Sequence, residues 1–350
     1  MTSQDSGRAL LRHHGDVDAA PGLVDFAVNV RTPVPPAWLR DRLAAALDGL
    51  GSYPASAADE RARAAVAARH GRTSDEVLVL NGAAEGFALL PNLHPCLAAV
   101  VHPSFTEPEV ALRDAGVPVQ RVQLWPEAGY GLRADLVPDE ADLVVLGNPT
   151  NPTSVLHPAE VVASLSRPGR VLVVDEAFAD AVPGEPESLA GRADVPGLLV
   201  LRSLTKTWGL AGLRAGYLLG APELLARLAL PRPPWPVGSL VLEAVTACCE
   251  PSAVAEAEAW ARETREHTAR AVAALGALGD LVVVPPDAPF VLLRVPHGQR
   301  VREALRDKGI AVRRGDTFPG LTADHLRVAV RAPEEFALLV DALRVVLEEL

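Results

Sequence analysis

Lys206 stands out because this chain carries almost all of its positive charge on arginine. Lysine occurs only as Lys206 and Lys308 among 33 lysine and arginine residues. A lysine amine can lose its proton and attack a carbonyl, whereas a guanidinium effectively cannot. Lys206 follows the strand-like run GLLVLRS and precedes a glycine-rich turn that contains Arg214. We therefore predict a nucleophilic amine at Lys206, while Lys308, near a helix end, has the context of a surface residue.

Polar residues also follow other apolar, strand-like runs. Asp175 ends the run VLVVD, and Asn151 lies in the proline-rich turn after another such run. Ser203 and Thr205 come shortly before the lysine, and residues 81–86 form a glycine-containing turn into a helix, whose free N–H groups could hold a phosphate. Pyridoxal phosphate (PLP) requires an amine for its aldehyde, an acid for its pyridine nitrogen and donors for its phosphate. The set of residues therefore predicts a PLP site.

The elements around these residues predict a mostly parallel sheet. Between about residues 70 and 230, continuously apolar runs alternate with amphipathic segments, which is typical of strands covered on both faces. Ligands of such sheets bind at the carboxyl ends of the strands. A proline-dense stretch at 230–239 interrupts the pattern, and a smaller α+β unit follows it. We expect an N-terminal arm at 1–30, a large PLP-binding domain at 31–235 and a small C-terminal α+β domain at 236–350.

Composition narrows the possible functions. The net charge of −11 and the pI near 5.3 argue against nucleic-acid and anionic-membrane partners. No apolar run approaches the ~18 residues of a membrane span, and the first residues lack the apolar core of a signal peptide, so we expect a cytoplasmic protein. The adjacent Cys248 and Cys249 are expected to pack in a buried helix. Neither cysteines nor histidines have metal-ligand spacing, so no catalytic metal is expected.

Taken in their order along the chain, these motifs resemble those of fold-type I PLP-dependent enzymes of the class I/II aminotransferase superfamily. The likeness extends from about residue 12 to the C-terminus. It is nearest to the histidinol-phosphate aminotransferase branch and to the threonine-phosphate decarboxylase-like proteins of cobalamin biosynthesis. It implies the fold-type I PLP-dependent transferase fold, an α/β architecture with a large domain around a mostly parallel central sheet and a smaller α+β domain. It also implies a small-molecule amino-acid substrate and a homodimer with shared active sites.

The resemblance implies a role for each motif residue at the cofactor. Lys206 would bind the cofactor aldehyde, Asp175 would pair with the pyridine nitrogen, and Asn151 would bond the phenolic oxygen. Phe105, in HPSFTEPE, would stack on the cofactor ring. The phosphate would be held by groups of both subunits: Ala83, Ala84, Ser203, Thr205, Arg214 and the partner subunit's Tyr53.

On the substrate side the resemblance implies four further residues. Arg327, in HLRVAVR, would clamp a substrate carboxylate or phosphate, and Asn29 and Arg313 match other substrate-side positions. The segment RHHGDVDAAPGLVDFAVN resembles the N-terminal arm of the cobalamin branch and would place His14 near a substrate phosphate.

Ordinary structural roles compete with several of these assignments. Lys206 could be a solvated surface residue, and Asp175 could cap a helix or form a structural ion pair. Asn151 could serve only its turn, Arg327 could face outward from its strand, and Phe105 could be an ordinary core residue.

Three departures from the family pattern bear on the reaction. Phe105 and Phe178 stand where tyrosines are frequent, and Ser154 stands where a glycine is usual. The missing hydroxyl groups weaken the case for a plain aminotransferase, and together with the arm they favour a threonine-phosphate decarboxylase-like enzyme of cobalamin biosynthesis. The alternative is an aminotransferase of the histidinol-phosphate type, since the pose of the substrate decides whether CO₂ or a proton leaves.

Two other classes of function remain open. A regulatory or binding protein could use an aminotransferase scaffold, but the first 30 residues are too short and too acidic for a DNA-binding module. A nucleotide-binding α/β protein without PLP is disfavoured, because neither G-x-G-x-x-G nor a Walker loop is present.

Overall fold

A seven-stranded sheet forms the centre of the larger part of the molecule. The computed structural model describes residues 8–350, so the first seven residues of the expected N-terminal arm lie outside the described chain. In chain order the strands are β1 (Val24–Asp25), β2 (Val77–Leu80), β3 (Ala98–His102), β4 (Val119–Gln123), β5 (Leu143–Gly147), β6 (Val171–Asp175), β7 (Leu198–Ser203), β8 (Gly216–Gly220), β9 (Phe290–Arg294), β10 (Ile310–Ala311), β11 (Arg313–Arg314) and β12 (His325–Ala329). The large sheet has the order β2-β8-β7-β6-β5-β3-β4; β8 is antiparallel to both neighbours, and the other pairs are parallel. The predicted mostly parallel sheet is confirmed.

Helices pack on both faces of this sheet. In chain order the helices of the whole described chain include α1 (Gly15–Asp18), α2 (Ala37–Ala45), α3 (Ser56–His70), α4 (Ala83–Leu89), α5 (Glu107–Asp114), α6 (Ala159–Ala163), α7 (Thr205–Trp208), α8 (Pro222–Ala229), α9 (Ser239–Cys248), α10 (Pro251–Gly276), α11 (Gly298–Asp307) and α12 (Pro333–Glu349). Local sequence sets their ends: α3 stops where Gly71 adopts a left-handed conformation (φ 65°), and α8, α10 and α12 each begin with proline. Among residues 8–350 no helix combines the length and the apolarity that crossing a membrane requires. The cytoplasmic location stays a prediction.

The central strands of the large sheet are buried on both faces, which explains their uninterrupted apolar sequences. Along β6, Leu172 and Val174 belong to one hydrophobic core and Val173 belongs to another, as the alternation of a strand requires. The first core also contains side chains of α2, α3 and α9, and the second contains side chains of α4, α5 and α8. Burial on both faces is the usual state of a parallel sheet.

A third core surrounds the small antiparallel sheet, in which the strand order is β11-β12-β9. This core contains side chains of α11 and α12, together with Phe26 from the N-terminal segment. Next to Phe26, β1 pairs in parallel with β10. The N-terminal segment is thus held by the C-terminal part of the chain.

The expected boundary at residue 235 falls inside the first core. Helix α9 packs there against α3, and it carries Cys248 while Cys249 follows it. Both cysteines are buried, as predicted. Helix α10 then spans two cores, with Ala257 in the first and Leu275 in the third. We therefore propose that the domain boundary lies within α10 rather than at residue 235, because residues 236–257 share a core with the large sheet.

The topology brings the ends of three adjacent parallel strands to one edge of the large sheet. Gly147 of β5 pairs with Asp175 of β6, and Asp175 pairs with Leu201 of β7. The chain that follows each strand therefore emerges at the same edge, and α7 places Lys206 there.

Candidate active site

A cavity of about 490 Å³ opens at this edge of the large sheet and extends to the small sheet and the N-terminal arm. Every predicted site residue except Tyr53 lines it. These residues are His14, Asn29, Ala83, Ala84, Phe105, Asn151, Asp175, Ser203, Thr205, Lys206, Arg214, Arg313 and Arg327. In the described part of the chain, no group of three or more His, Cys, Asp or Glu side chains is arranged to hold a metal ion.

Lys206 and Asp175 lie deep in the cavity, beyond the ends of adjacent strands. Burial, together with the nearby Arg327 and Arg214, lowers the pKa of Lys206 to about 8. Burial raises the pKa of Asp175 to about 6, although the backbone N–H of Ala177 donates to Asp175 Oδ1 (3.0 Å) and opposes the shift. Each group is thus driven towards its neutral form, and each would be stabilised as an ion by a ligand of opposite charge.

A cluster of donors lies where α4 begins. Gly82, just before the helix, has φ +85°, and a Cβ at this position would lie 2.8 Å from Arg214 Nη2. A glycine therefore allows the Arg214 side chain to lie against the backbone that leads to Ala83 and Ala84. Ser203 and Thr205 line the same cavity. Backbone N–H groups, hydroxyls and a guanidinium together suit a phosphate group.

The opposite side of the cavity contains polar atoms, two donors and one acceptor, without hydrogen-bond partners in residues 8–350. Arg327 Nη1 donates to Asn151 Oδ1 (2.8 Å), and its Nη2 donates to the backbone carbonyl of Ala27. Its Nε and both side-chain amide atoms of Asn29 are buried and have no hydrogen-bond partner within residues 8–350. Burial also lowers the pKa of Arg327, so an anionic ligand would stabilise its charge. These groups form a candidate anion site.

Arg313 holds the N-terminal arm. Its Nη1 donates to Asp18 Oδ2 (3.2 Å), and its Nη2 donates to the backbone carbonyl of His13 and to Thr317 Oγ1, both at 2.7 Å. The guanidinium also lies over the ring of Phe318, 4.8 Å from its centroid. Arg313 lines the cavity as predicted, but two of its three nitrogens are bonded within the chain.

Two carboxylates in the cavity were missed by sequence reasoning. His14 Nε2 lies 2.6 Å from Glu107 Oε1, and the His14 ring is 5.4 Å from that of Phe105. Glu107 and Asp16 both line the cavity. Their only signal in the sequence is proximity to Phe105 and His14, respectively. The predicted contact of His14 with a substrate phosphate stays a prediction, and in this structure its partner is a carboxylate.

Two departures from the family pattern have visible local consequences. Phe178 is buried and packs edge-on against Phe290, with ring centroids 4.8 Å apart. Ser154 has φ +65°, a conformation that glycine adopts more easily. Its hydroxyl donates to the carbonyl of Ala288 (3.0 Å) and accepts from the N–H of Ala288 (2.7 Å). The two hydrogen bonds offset the backbone strain that the serine incurs.

Tyr53 lies outside the cavity of its own chain. It is 74% exposed and stacks on Trp235, which is 55% exposed, with ring centroids 4.2 Å apart. Contiguous exposed apolar surface, such as that of two stacked aromatic rings, often marks a contact with a partner. The predicted contact with a second subunit stays a prediction.

The groups in the cavity fit PLP. Lys206 offers an amine with a lowered pKa to an aldehyde, and Asp175 offers a buried carboxylate to a pyridine nitrogen. Arg214, whose side chain lies against Gly82, belongs to the donor cluster that would receive the phosphate. The cavity therefore offers a suitable partner to the aldehyde, to the pyridine nitrogen and to the phosphate of PLP.

The raised pKa of Asp175 predicts a pH-dependent stability of the PLP-free protein. The folded state binds the Asp175 proton more tightly than the unfolded state, so stability falls as the pH rises from about 4, the ordinary value, to about 6. We expect Asp175→Asn to stabilise the PLP-free protein at about pH 8 by about 1 to 2 kcal/mol, and this gain should shrink below about pH 5. Thermal unfolding across this pH range measures it. Asp139→Asn, at a side chain that is 94% exposed, is the control; an equal gain for both variants would contradict the account.

The chain is similar to known proteins over most of its length. The model of the family "Aminotransferase class I and II" matches residues 22–343. A histidinol-phosphate aminotransferase of Mycobacterium tuberculosis is 57% identical over 335 residues, which cover 96% of this chain and 90% of that protein. A threonine-phosphate decarboxylase of Salmonella typhimurium is 32% identical over 340 residues, which cover 93% and 91%.

Solved structures show the same fold. The histidinol-phosphate aminotransferase of Clostridium acetobutylicum superimposes with a TM-score of 0.85 at 23% identity, covering 93% of this chain and 99% of that one. At this identity the likeness concerns the fold alone. Together with the family match and the contents of the cavity, it leads to one conclusion: the chain belongs to the aminotransferase class I and II family and is a PLP-dependent enzyme.

Proposed function

We propose that this enzyme is an aminotransferase of the histidinol-phosphate type, which moves an amino group between a small phosphorylated amine and a keto acid. One observation carries the proposal: a relative of that name is 57% identical over 96% of the chain, whereas the threonine-phosphate decarboxylase is 32% identical. The sequence alone favoured the decarboxylase, because of the arm and Phe178. The relatives favour the alternative.

Each residue at the cofactor site has one proposed role. When bound, PLP supplies an aldehyde for amines and a ring that accepts electrons from the substrate carbon. Lys206 would hold the aldehyde end and, as an amine with a pKa of about 8, would be suited to accept and donate the proton of the substrate carbon. Asp175 holds the proton on the ring nitrogen, Asn151 bonds the phenolic oxygen, and Phe105 packs against the ring. Arg214, Ser203, Thr205, Ala83 and Ala84 hold the cofactor phosphate.

At the substrate, the proposal uses the unpaired donors on the far side of the cavity. Arg327 Nε and the amide of Asn29, both buried and without partners in the described chain, bind an anionic group of the substrate. Arg313 contributes its charge while it holds the arm through Asp18. An anion bound in this place would fix the position of the substrate carbon relative to Lys206.

We further propose that a second copy of the chain covers the stacked pair Tyr53 and Trp235 and receives Tyr53 at its own cavity. The exposure of both rings supports this, because more than half of each side chain stays uncovered within residues 8–350 even though the rings stack on each other. The nearby leucines Leu50 and Leu230 are exposed as well.

A direct comparison of two reactions tests the proposed function. We expect the PLP-loaded enzyme to form glutamate from 2-oxoglutarate with histidinol phosphate as amino donor. We expect much slower release of CO₂ from O-phosphothreonine, because the proposed reaction removes a proton from the substrate carbon and keeps its carbon–carbon bonds. Both products are measured on the same enzyme preparation. Rapid CO₂ release without amino transfer would overturn the aminotransferase proposal and support the decarboxylase.

Replacement of each lysine by arginine tests whether Lys206 is needed as a nucleophilic amine or only as a positive charge. Lys206→Arg keeps the cation but removes the nucleophilic amine, so we expect turnover to fall by at least about 10³-fold and PLP to be lost on dialysis. The matched variant Lys308→Arg should keep both turnover and PLP, since within residues 8–350 Lys308 pairs with the exposed Glu349 and with no other carboxylate. If Lys206→Arg retained PLP through dialysis as well as Lys308→Arg does, the assignment of Lys206 would be wrong.

Mixed subunits test the shared site. Lys206→Ala and Tyr53→Ala proteins are each expected to be weakly active, while a mixed dimer has one site with both wild-type residues. When the two variants are unfolded and refolded together, up to about a quarter of all sites should contain both wild-type residues and be active. Activity equal to the average of the two separate proteins would show that Tyr53 serves no partner site.

A further inference from the structure

A buried network of charged side chains connects the strand end that carries Asp175 with the helical turn that carries Lys206. We propose that Asp180, through the hydroxyl of Thr207, is a positioning residue that fixes where Lys206 meets the cofactor. The inference concerns the cofactor site and does not depend on the identity of the substrate.

The network begins next to Asp175. The following residue, Glu176, accepts hydrogen bonds from Arg202 Nη1 (3.0 Å), from the Ser188 hydroxyl (2.6 Å) and from the Leu189 N–H (2.6 Å). Arg202 belongs to β7, where its neighbour Leu201 pairs with Asp175. The ends of β6 and β7 are thus joined by side chains as well as by the backbone ladder.

The network continues from Arg202 to the turn that contains Lys206. Arg202 Nη2 is bonded to Asp180 Oδ1, which also accepts from Arg69 Nη2 (2.7 Å). The other oxygen of this carboxylate, Asp180 Oδ2, accepts a hydrogen bond from the Thr207 hydroxyl (3.2 Å). Thr207 is the neighbour of Lys206, so a continuous series of bonds runs from Glu176 to the turn.

Burial makes this series rigid. The side chains of Arg202, Asp180 and Arg69 are 2%, 5% and 5% exposed. Buried charges are tolerated only when their partners stay in place, because each lost partner leaves an uncompensated charge away from water. The two arginines hold the pKa of Asp180 well below its ordinary range. Asp180 therefore remains a carboxylate that accepts from Thr207 throughout the working pH range.

The turn itself needs such support. Helix α7 has four residues, Thr205–Trp208, and so short a helix has little stability of its own. It ends at Gly209 (φ +66°), where a Cβ would lie 2.8 Å from the carbonyl of Thr32. Successive side chains on a helix point about 100° apart, so the bond at Thr207 fixes the rotation that sends Lys206 into the cavity. On the other side, the Lys206 carbonyl accepts from the Arg31 N–H (2.9 Å).

Two substitutions of Thr207 test the proposal. Thr207→Val keeps the shape and removes the hydroxyl, whereas Thr207→Ser keeps the hydroxyl. We expect the dissociation constant of PLP to rise about tenfold for Thr207→Val and to stay within about twofold for Thr207→Ser. PLP is added to the cofactor-free proteins and binding is followed by visible absorbance. The pH midpoint of the bound cofactor's absorbance should also shift in Thr207→Val and should keep its wild-type value in Thr207→Ser.

A second threonine separates positioning from general stability. Thr268 is buried in α10 and donates to the Thr264 carbonyl (2.8 Å), so its hydroxyl bonds within its own helix and not to the turn of Lys206. Thr268→Val is expected to lower the thermal midpoint of the PLP-free protein without changing PLP affinity. The proposal is overturned if Thr207→Val behaves like Thr268→Val, with a lower midpoint and unchanged PLP affinity. If Thr207→Val does not fold, Thr207→Ala carries the same comparison with serine, and unchanged PLP affinity in that variant overturns the proposal equally.

Discussion

The placement of two oppositely charged groups in one cavity, beyond the ends of adjacent strands, is the constraint on which the active site depends. Asp175 and Lys206 emerge at one edge of the sheet because β6 and β7 are parallel neighbours, and strand ends that point the same way converge. Burial drives the pKa of Asp175 up and that of Lys206 down, so the protein without its cofactor bears an electrostatic cost in this cavity. A protonated ring nitrogen would compensate the charge of Asp175, and an aldehyde would react with the neutral amine of Lys206. The positions of Asp175 and Lys206 therefore favour the binding of PLP, and both residues were predicted from the sequence.

The surrounding structure holds these two groups from several directions. Below the strand ends, Asp180 lies between Arg69 and Arg202 and reaches the turn of Lys206 through Thr207. Above them, the N-terminal arm contacts both parts of the molecule: Asp18 pairs with Arg313, and His14 pairs with Glu107 at the start of α5. The arm therefore connects the two parts of the molecule that line the cavity. The buried network connects the strand ends to the turn that carries Lys206.

The sequence predicted the parts of this arrangement that follow from local pattern. Uninterrupted apolar runs predicted a parallel sheet, and polar residues at the ends of those runs predicted the contents of the cavity, including Arg214 beside a glycine-containing turn. Contacts between distant segments were out of reach, because periodicity reports that a side chain is buried but not which side chain it meets. Arg69 and Asp180 are 111 residues apart, and Arg313 and Asp18 are 295 apart. The same limit explains why α9, which follows a proline-dense stretch, could not be assigned to the core of the large sheet.

The visible spectrum of the purified protein with added PLP tests the central claim most directly. If Lys206 is the buried amine that receives the cofactor aldehyde, PLP added in slight excess should give an absorbance band distinct from that of free PLP. Borohydride should abolish this band and leave the cofactor attached to the peptide that contains Lys206. A protein that gives only the spectrum of free PLP, with Lys206 unmodified after reduction, would contradict the account.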